Sequence, residues 1–362
     1  MGVFLFVSVG FVWAEPGTEG TRFEKALPGY RFAFPRDHGS HPTYLIEWWY
    51  FTGNLQSKSG DAYGYELTFF RRGIENTFVE ENPSRWTVRD LYLAHFAVSD
   101  LPKKRFFYEE KISRAALGKA GAKEGEMEVW IDRWSAVQEG ETMRLIAGEG
   151  AFRIALELRP AKPLVIHGTE GVSRKGDALG DASHYYSFTR LMTEGSMVAN
   201  GKEIAVTGLS WMDHEFGSSL LGADQVGWDW FSIQLDDGSD YMFYQIREKG
   251  GGKDAVSSGT AVAFDGTARH LRSEDFTLKP LSHWTSSKSG GAYPLVWEIA
   301  LPSEGLVLRA EPAMDDQELM TDESTRVTYW EGASRFSGTK RGETVSGAGY
   351  IELTGYAGRL ND

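Results

Sequence analysis

Residues 211–215, Trp-Met-Asp-His-Glu, set two carboxylic acids into an apolar run. Alternate residues of a strand share a face, so Trp211, Asp213 and Glu215 are expected to point one way. An aspartate held beside an indole in an apolar site has its ionised form disfavoured, which makes Asp213 a candidate general acid. The plainer reading pairs it with an arginine where the chain leaves its sheet. A second run, Ser183 to Arg190, puts His184, Tyr186, Phe188 and Arg190 on one face by the same alternation. A histidine beside a tyrosine on an inward face can tune or relay a proton. A core histidine with satisfied hydrogen bonds is the alternative. The third group is Asp37-His38-Gly39-Ser40-His41, followed by Glu47-Trp48-Trp49-Tyr50. Two histidines and a carboxylate are metal-ligand types. This pair sits in a loop without helical spacing, and no metal is assigned. Glu47 before two tryptophans needs a buried partner, with Arg71 and Arg190 as candidates. Cysteine nucleophiles are excluded because the chain has none, and it contains no Gly-x-Ser-x-Gly elbow. Paired carboxylates also suit a glycosidase, but an acidic chain offers such pairs by chance.

The elements that must carry these residues read as strands. Residues 44–55 are aromatic and β-branched, a polar Gly-containing turn follows at 56–61, and 62–71 resumes the pattern as a hairpin. Similar runs occur at 92–98, 126–132, 142–147, 151–158, 203–209, 228–235, 240–247, 259–264, 294–301, 306–310 and 345–353. Short helices are expected only near 87–91 and 111–117. The chain also repeats itself. Val-Thr-Gly-Leu-Ser-Trp-Met-Asp at 206–213 matches Val-Ser-Gly-Ala-Gly-Tyr-Ile-Glu at 345–352 by residue type, so Asp213 corresponds to Glu352. Tyr186 lies nine residues before Gly195, and Tyr329 nine before Gly338. A second echo relates Glu47-Trp48-Trp49-Tyr50 to Asp229-Trp230-Phe231, each in a hairpin closing near an arginine, Arg71 or Arg247. Two echoes in the same order predict a duplicated β-domain with its boundary in 216–226. The expected fold is all-β: two tandem antiparallel barrels of lipocalin type, 28–220 and 221–362. Closure leaves room inside a barrel for one small apolar ligand. A pair of sandwiches is the runner-up.

The 362 residues include 12 Trp, 15 Tyr and 21 Phe, enough for a large core. The net charge of −13 excludes a nucleic-acid partner read by a basic footprint and electrostatic docking on an anionic membrane. Residues 2–13 are apolar and followed by Ala14, which fits a signal peptide over 1–14 and an exported, periplasmic protein, although the basic leader is missing. A buried N-terminal strand is the alternative. Without cysteine there is neither a disulfide framework nor a lipoprotein anchor.

Several of these motifs together resemble a known family. They are Glu47-Trp48-Trp49-Tyr50 with Gly53-Asn54-Leu55, Leu67 to Arg71, His95-Phe96, Ser173 to Gly176, Thr207 to Asp213, and Gly227-Trp228-Asp229-Trp230-Phe231. From about residue 28 to 357 the chain is similar to the AttH/CrtC family, which includes carotenoid 1,2-hydratases and AttH-like proteins encoded beside ABC transporters. The resemblance implies two lipocalin-like domains. It implies Asp213 as proton donor to an isoprenoid double bond and His184 as a tuning or water-orienting group. Tyr186 and Trp211 would flank a carbocation. Glu47, Trp48, Trp49, Tyr50, Arg71, Arg190, His214, Trp228 and Trp230 are expected around the ligand. Such a reaction needs no cofactor: a buried acid supplies the proton and aromatic faces hold the cation, at about 2 kcal/mol or more when desolvated. Two functions stay open: a hydratase or isomerase of an apolar substrate, and a non-catalytic exported carrier or ABC-transporter accessory.

Overall fold

The computed structural model describes residues 23–74, 84, 87–219 and 221–358. The proposed signal peptide therefore lies outside the described residues. Among those residues, thirteen strands form a first sheet and ten a second. The first comprises β1 (Ile46–Ser57), β2 (Ala62–Gly73), β3 (Asp90–Asp100), β4 (Arg105–Arg114), β5 (Ala120–Ala122), β6 (Glu128–Ile131), β7 (Trp134–Glu139), β8 (Thr142–Glu149), β9 (Phe152–Pro160), β10 (Val165–Ile166), β11 (Ser173–Arg174), β12 (Ala182–Ala199) and β13 (Lys202–Gly217). The second comprises β14 (Gln225–Leu235), β15 (Asp240–Glu248), β16 (Ser258–Val262), β17 (Ala268–Arg272), β18 (Thr277–Thr285), β19 (Ala292–Leu301), β20 (Leu306–Pro312), β21 (Glu318–Met320), β22 (Thr328–Lys340) and β23 (Glu343–Thr354). All the ladders are antiparallel; the first sheet curls into a nearly closed barrel and the second into a half-barrel, the tandem lipocalin-like architecture.

No helix forms at 87–91 or 111–117. Leu91 pairs with Arg114 and Tyr92 with Ser113, so 90–114 is a hairpin and 115–117 only leaves it. Ladder hydrogen bonds outweigh the weak local helix preference of Ala115-Ala116-Leu117.

The repeated segments occupy equivalent places. The first sheet passes β2–β1–β13–β12–β9, the second β15–β14–β23–β22–β20. Gly195 faces Val206 across one hairpin and Gly338 faces Val345 across the other. From there the copies diverge. β12 carries a bulge between Phe188 and Leu191, so that Ser187 rather than Phe188 faces Asp213, whereas β22–β23 pair without interruption. An extra residue inverts the alternation beyond it. Consequently Tyr185, not Tyr186, is the counterpart of Tyr329: they face Glu215 and Thr354, each two residues past its acid.

Both faces of the central strands are buried. From β1, Trp49, Phe51 and Leu55 point into the first barrel, whose interior is filled by these and by Trp134, Tyr186 and Met212 among others. Trp48 and Tyr50 point the other way, onto Trp228, Trp230 and Tyr244 of the second domain. The second interior is filled around Trp297, Trp330 and Phe231. A hydrophobic core thus occupies each barrel, and a third apolar cluster joins the two sheets back to back.

Candidate functional site

A cavity of about 330 Å³ lies in that junction and not inside a barrel. Its walls come from the outer faces of β1–β3, β12 and β13 and from β14, β15, β22 and β23. Phe70, Leu93, Trp48, Trp228, Trp230 and Ile246 make the lining mostly apolar. Closure would leave room for a ligand inside a barrel, but large inward side chains fill the first barrel, and the space remains where two curved sheets meet.

Asp213 forms part of this wall and is buried. Its Oδ1 accepts from the Trp211 indole at 2.6 Å and from the Ser187 hydroxyl; Oδ2 accepts from the Tyr185 hydroxyl at 2.8 Å. Burial pushes the Asp213 carboxyl up to about 7, against the three donors, which favour the anion; the Glu215 charge assists burial. Ser187 continues the chain. Its oxygen lies 2.6 Å from His167 Nε2, and His167 Nδ1 lies 2.8 Å from Thr260 Oγ1. With Ser187 donating to Asp213, the network assigns the His167 proton to Nε2. Burial pushes His167 down to about 3, keeping it neutral. The Trp230 indole reaches the Tyr185 oxygen at 3.3 Å and stands edge-on to Tyr50 at 5.3 Å between centroids.

Further acids line the cavity, Glu331 and Glu352 from the second sheet and Glu66 from β2 of the first. Tyr50 donates to Glu331 Oε1 at 2.7 Å, and the Trp228 indole to Glu352 Oε2 at 2.9 Å. Glu66 accepts from Thr68 at 2.8 Å. Burial pushes Glu66 up to about 7 and Glu352 up to about 8; it also raises Glu331, helped by its acidic neighbours. Glu352 is the sequence repeat of Asp213 and occupies the equivalent slot. Glu66 and Glu331 were missed in the sequence, although each is an acid inside an apolar strand run. Tyr185 and Ser187 were missed for a different reason, because the bulge hides that they face Asp213, and His167 was missed because it lies outside the strands, in the segment after β10.

His184 and Tyr186 do not meet Asp213. His184 stacks on Tyr30 at 4.3 Å and lies 3.0 Å from the Gly171 carbonyl. Tyr186 lies inside the first barrel, with its hydroxyl 2.7 Å from His38 Nδ1 and 3.0 Å from His214 Nδ1. His214 and Trp49 are stacked there, 4.8 Å apart, away from the cavity. Trp211 backs Asp213 from the domain junction. Arg190 is not a partner of Glu47; it binds Asp240 at 2.7 Å, beside Lys162, also at 2.7 Å. Trp48, Tyr50, Trp228 and Trp230 do line the cavity.

Glu47 and Arg71 touch one end of the cavity and anchor a buried network. Arg71 Nε donates to Glu47 Oε2 at 2.9 Å, and its other nitrogens reach Asp90 and the carbonyls of His41 and Tyr44. His41 Nδ1 and His214 Nε2 reach Glu47 Oε1 at 2.8 and 2.9 Å. Burial would raise Glu47, but the two histidines and the Arg71 charge outweigh it and hold the carboxyl well below its ordinary value. His41, Glu47 and His214 have ligand-type atoms within 4.8 Å of one another. Their lone pairs and protons are engaged with one another, and a guanidinium already neutralises the carboxylate. The second copy repeats the theme: Arg247 pairs with Asp229 at 3.2 Å.

The AttH-like family model matches residues 25–356. The chain is 34% identical to the AttH protein NE1406 of Nitrosomonas europaea, covering 92% of this chain and 100% of that one with a TM-score of 0.83. Kievitone hydratase from Nectria haematococca shares the fold at 14% identity, 94% and 99% coverage and a TM-score of 0.69. CghA crystallised with Sch210972 shares it at 12% identity, 94% and 98% coverage and a TM-score of 0.54. No curated protein sequence matches the chain.

Proposed function

The chain belongs to the AttH-like family, and from that premise we propose that it binds an apolar small molecule in the interdomain cavity and hydrates or isomerises it, with Asp213 as the acid. One observation carries the reading: a buried carboxyl, pushed up to about 7, forms part of the wall of an apolar cavity rimmed by aromatic faces. Protonating an isolated alkene needs an acid that stays neutral near physiological pH in a dry site. The Asp213 proton passes to one alkene carbon, and the other becomes a cation facing Trp230 and Tyr50. Water adds to the cation and loses a proton, which restores Asp213. Loss of a neighbouring C–H proton instead gives the isomer. Likeness to a hydratase fold agrees with this chemistry and does not name the substrate.

The test uses isoprenoid alkenes in ¹⁸O-labelled water, with ligand binding followed by tryptophan quenching. Native protein is expected to bind and to incorporate label. Asp213→Asn should bind equally and turn over at least about 10²-fold more slowly. If native protein binds these alkenes and retains lipid on extraction but transforms none of them, it is a carrier and the enzymatic reading fails.

A further inference from the structure

Six acids line the cavity, Glu47, Glu66, Asp213, Glu215, Glu331 and Glu352, against three cations, Arg71, Arg72 and Lys175, and His95, which burial keeps neutral and which meets Glu66 only through Tyr329. Arg71 is committed to Glu47 and Asp90, and Lys175 to Glu215 at 2.8 Å. Arg72 lies six residues beyond Glu66 on β2, roughly 20 Å along the strand. The Lys175 charge also acts on Asp213, which leaves Glu66, Glu331 and Glu352 around an apolar space with no ion pair among the described residues. Two of them, Glu331 and Glu352, are directly opposite on β22 and β23, where Cβ atoms stand about 5 Å apart. Ionised together without a cation, two such facing acids would repel each other. Glu66 and Glu331 are each 1% exposed, and one oxygen of each, Oε2, has no hydrogen-bond partner. Two buried acid oxygens without a partner at a cavity cost free energy that a complementary ligand would recover.

Resting on the reading that this cavity is the ligand site, we propose that the wall formed by Glu66, Glu331 and Glu352 is a seat for a monovalent organic cation, the protonated nitrogen of an apolar amine. A bare metal ion fits less well. Among the described residues, only His41, Glu47 and His214 bring three ligand atoms within 4.8 Å of one another, so the three glutamates together do not form a compact coordination shell. An alkylammonium group is larger, donates several hydrogen bonds, and suits the faces of Tyr50, Trp228 and Trp230 that lie beside the acids. Ionised beside a cation, the same acids would also hold the carbocation formed when Asp213 protonates an alkene, so an amine of matching shape would mimic that intermediate.

The experiment compares octylamine with octan-1-ol, which share chain length and differ in charge, by calorimetry on the full chain. The amine is expected to bind at least about tenfold more tightly to native protein. In Glu331→Gln/Glu352→Gln the alcohol should still bind while the preference for the amine falls to near unity. Should the double variant fail to fold by circular dichroism, native protein in two buffers of different ionisation enthalpy serves instead. Amine binding should then release protons and alcohol binding should not. Equal affinity of native protein for both probes, or a preference unchanged by the double substitution, overturns the cation seat and leaves the apolar cavity standing. Binding of neither probe overturns both.

Discussion

The Tyr185 hydroxyl donates to Asp213 Oδ2 at 2.8 Å, while the adjacent Tyr186 faces the opposite side of the sheet and serves His38 and His214. Neighbouring tyrosines thus belong to two sites, one at the cavity and one in the barrel core. Tyr185 stabilises the Asp213 anion. Removing its hydroxyl in Tyr185→Phe should therefore raise the Asp213 carboxyl beyond its native value of about 7. Activity that needs protonated Asp213 falls as pH rises through about 7, and in the variant this falling limb should move to higher pH. Tyr186→Phe should leave the limb in place and cost about 1–3 kcal/mol of stability, because two buried histidines lose a partner. A pH–rate profile alike in the two variants would reject this division of roles.

Ser187 connects Asp213 to His167 and, through it, to Thr260 of the second domain. Ser187→Ala removes a donor to the Asp213 anion, so it too should shift the falling limb of the pH–rate profile upward. It also leaves His167 Nε2–H buried without an acceptor, at about 1–3 kcal/mol. Thr260→Val should destabilise by a similar amount with little shift of the profile, because it touches only the far end of the chain. Equal profile shifts in Ser187→Ala and Thr260→Val would show that the effect is merely structural.

The Glu47–Arg71 pair is fully buried and each member makes further hydrogen bonds. Removing one partner strands the other charge. Arg71→Met should cost about 3–5 kcal/mol in chemical denaturation. The double variant Glu47→Gln/Arg71→Met should recover part of that loss. Additive losses from the two single substitutions would contradict a coupled pair.

Stability should depend on pH in two opposing ways. Burial raises Asp213 and Glu66 to about 7 and Glu352 to about 8. Groups raised in the folded state contribute stability that is fully present below their unfolded values and lost as pH climbs through the folded ones. Glu47 is held low, so its contribution is present above the ordinary carboxylate range and lost in acid. Calorimetric Tm is therefore expected to fall from about pH 5 to about pH 8 and then level off, and to fall less steeply in Glu352→Gln. A native Tm flat over that interval would mean that these acids are already ionised and neutralised.

The bulge in β12 is held from outside its own sheet: Thr189 Oγ1 and the Arg190 guanidinium both bind Asp240 of β15. Asp240→Asn should weaken this clamp, leave Lys162 and Arg190 without their anion, and cost about 3–5 kcal/mol. Because Ser187 owes its position opposite Asp213 to the bulge, the variant should also lose activity out of proportion to its loss of stability. Full activity in a folded Asp240→Asn protein would show that the bulge needs no such anchor.

Strand runs, turn residues and the match of Val206–Asp213 with Val345–Glu352 were enough to read an all-β, duplicated chain, because alternation and turn chemistry are local. The buried acid Asp213 was legible for the same reason, as an anomaly within an apolar run. Its companions were not. Counting back from the Gly195–Val206 pair without interruption puts Phe188 opposite Asp213 and brings His184 and Tyr186 to its face. One extra residue between Phe188 and Leu191 reverses this and presents Tyr185 and Ser187 instead. A bulge clamped by Asp240 from the other domain leaves no mark on local periodicity. The cavity was hidden likewise: each barrel fills its own interior, and the space that remains depends on how two curved sheets pack, which only the tertiary structure decides.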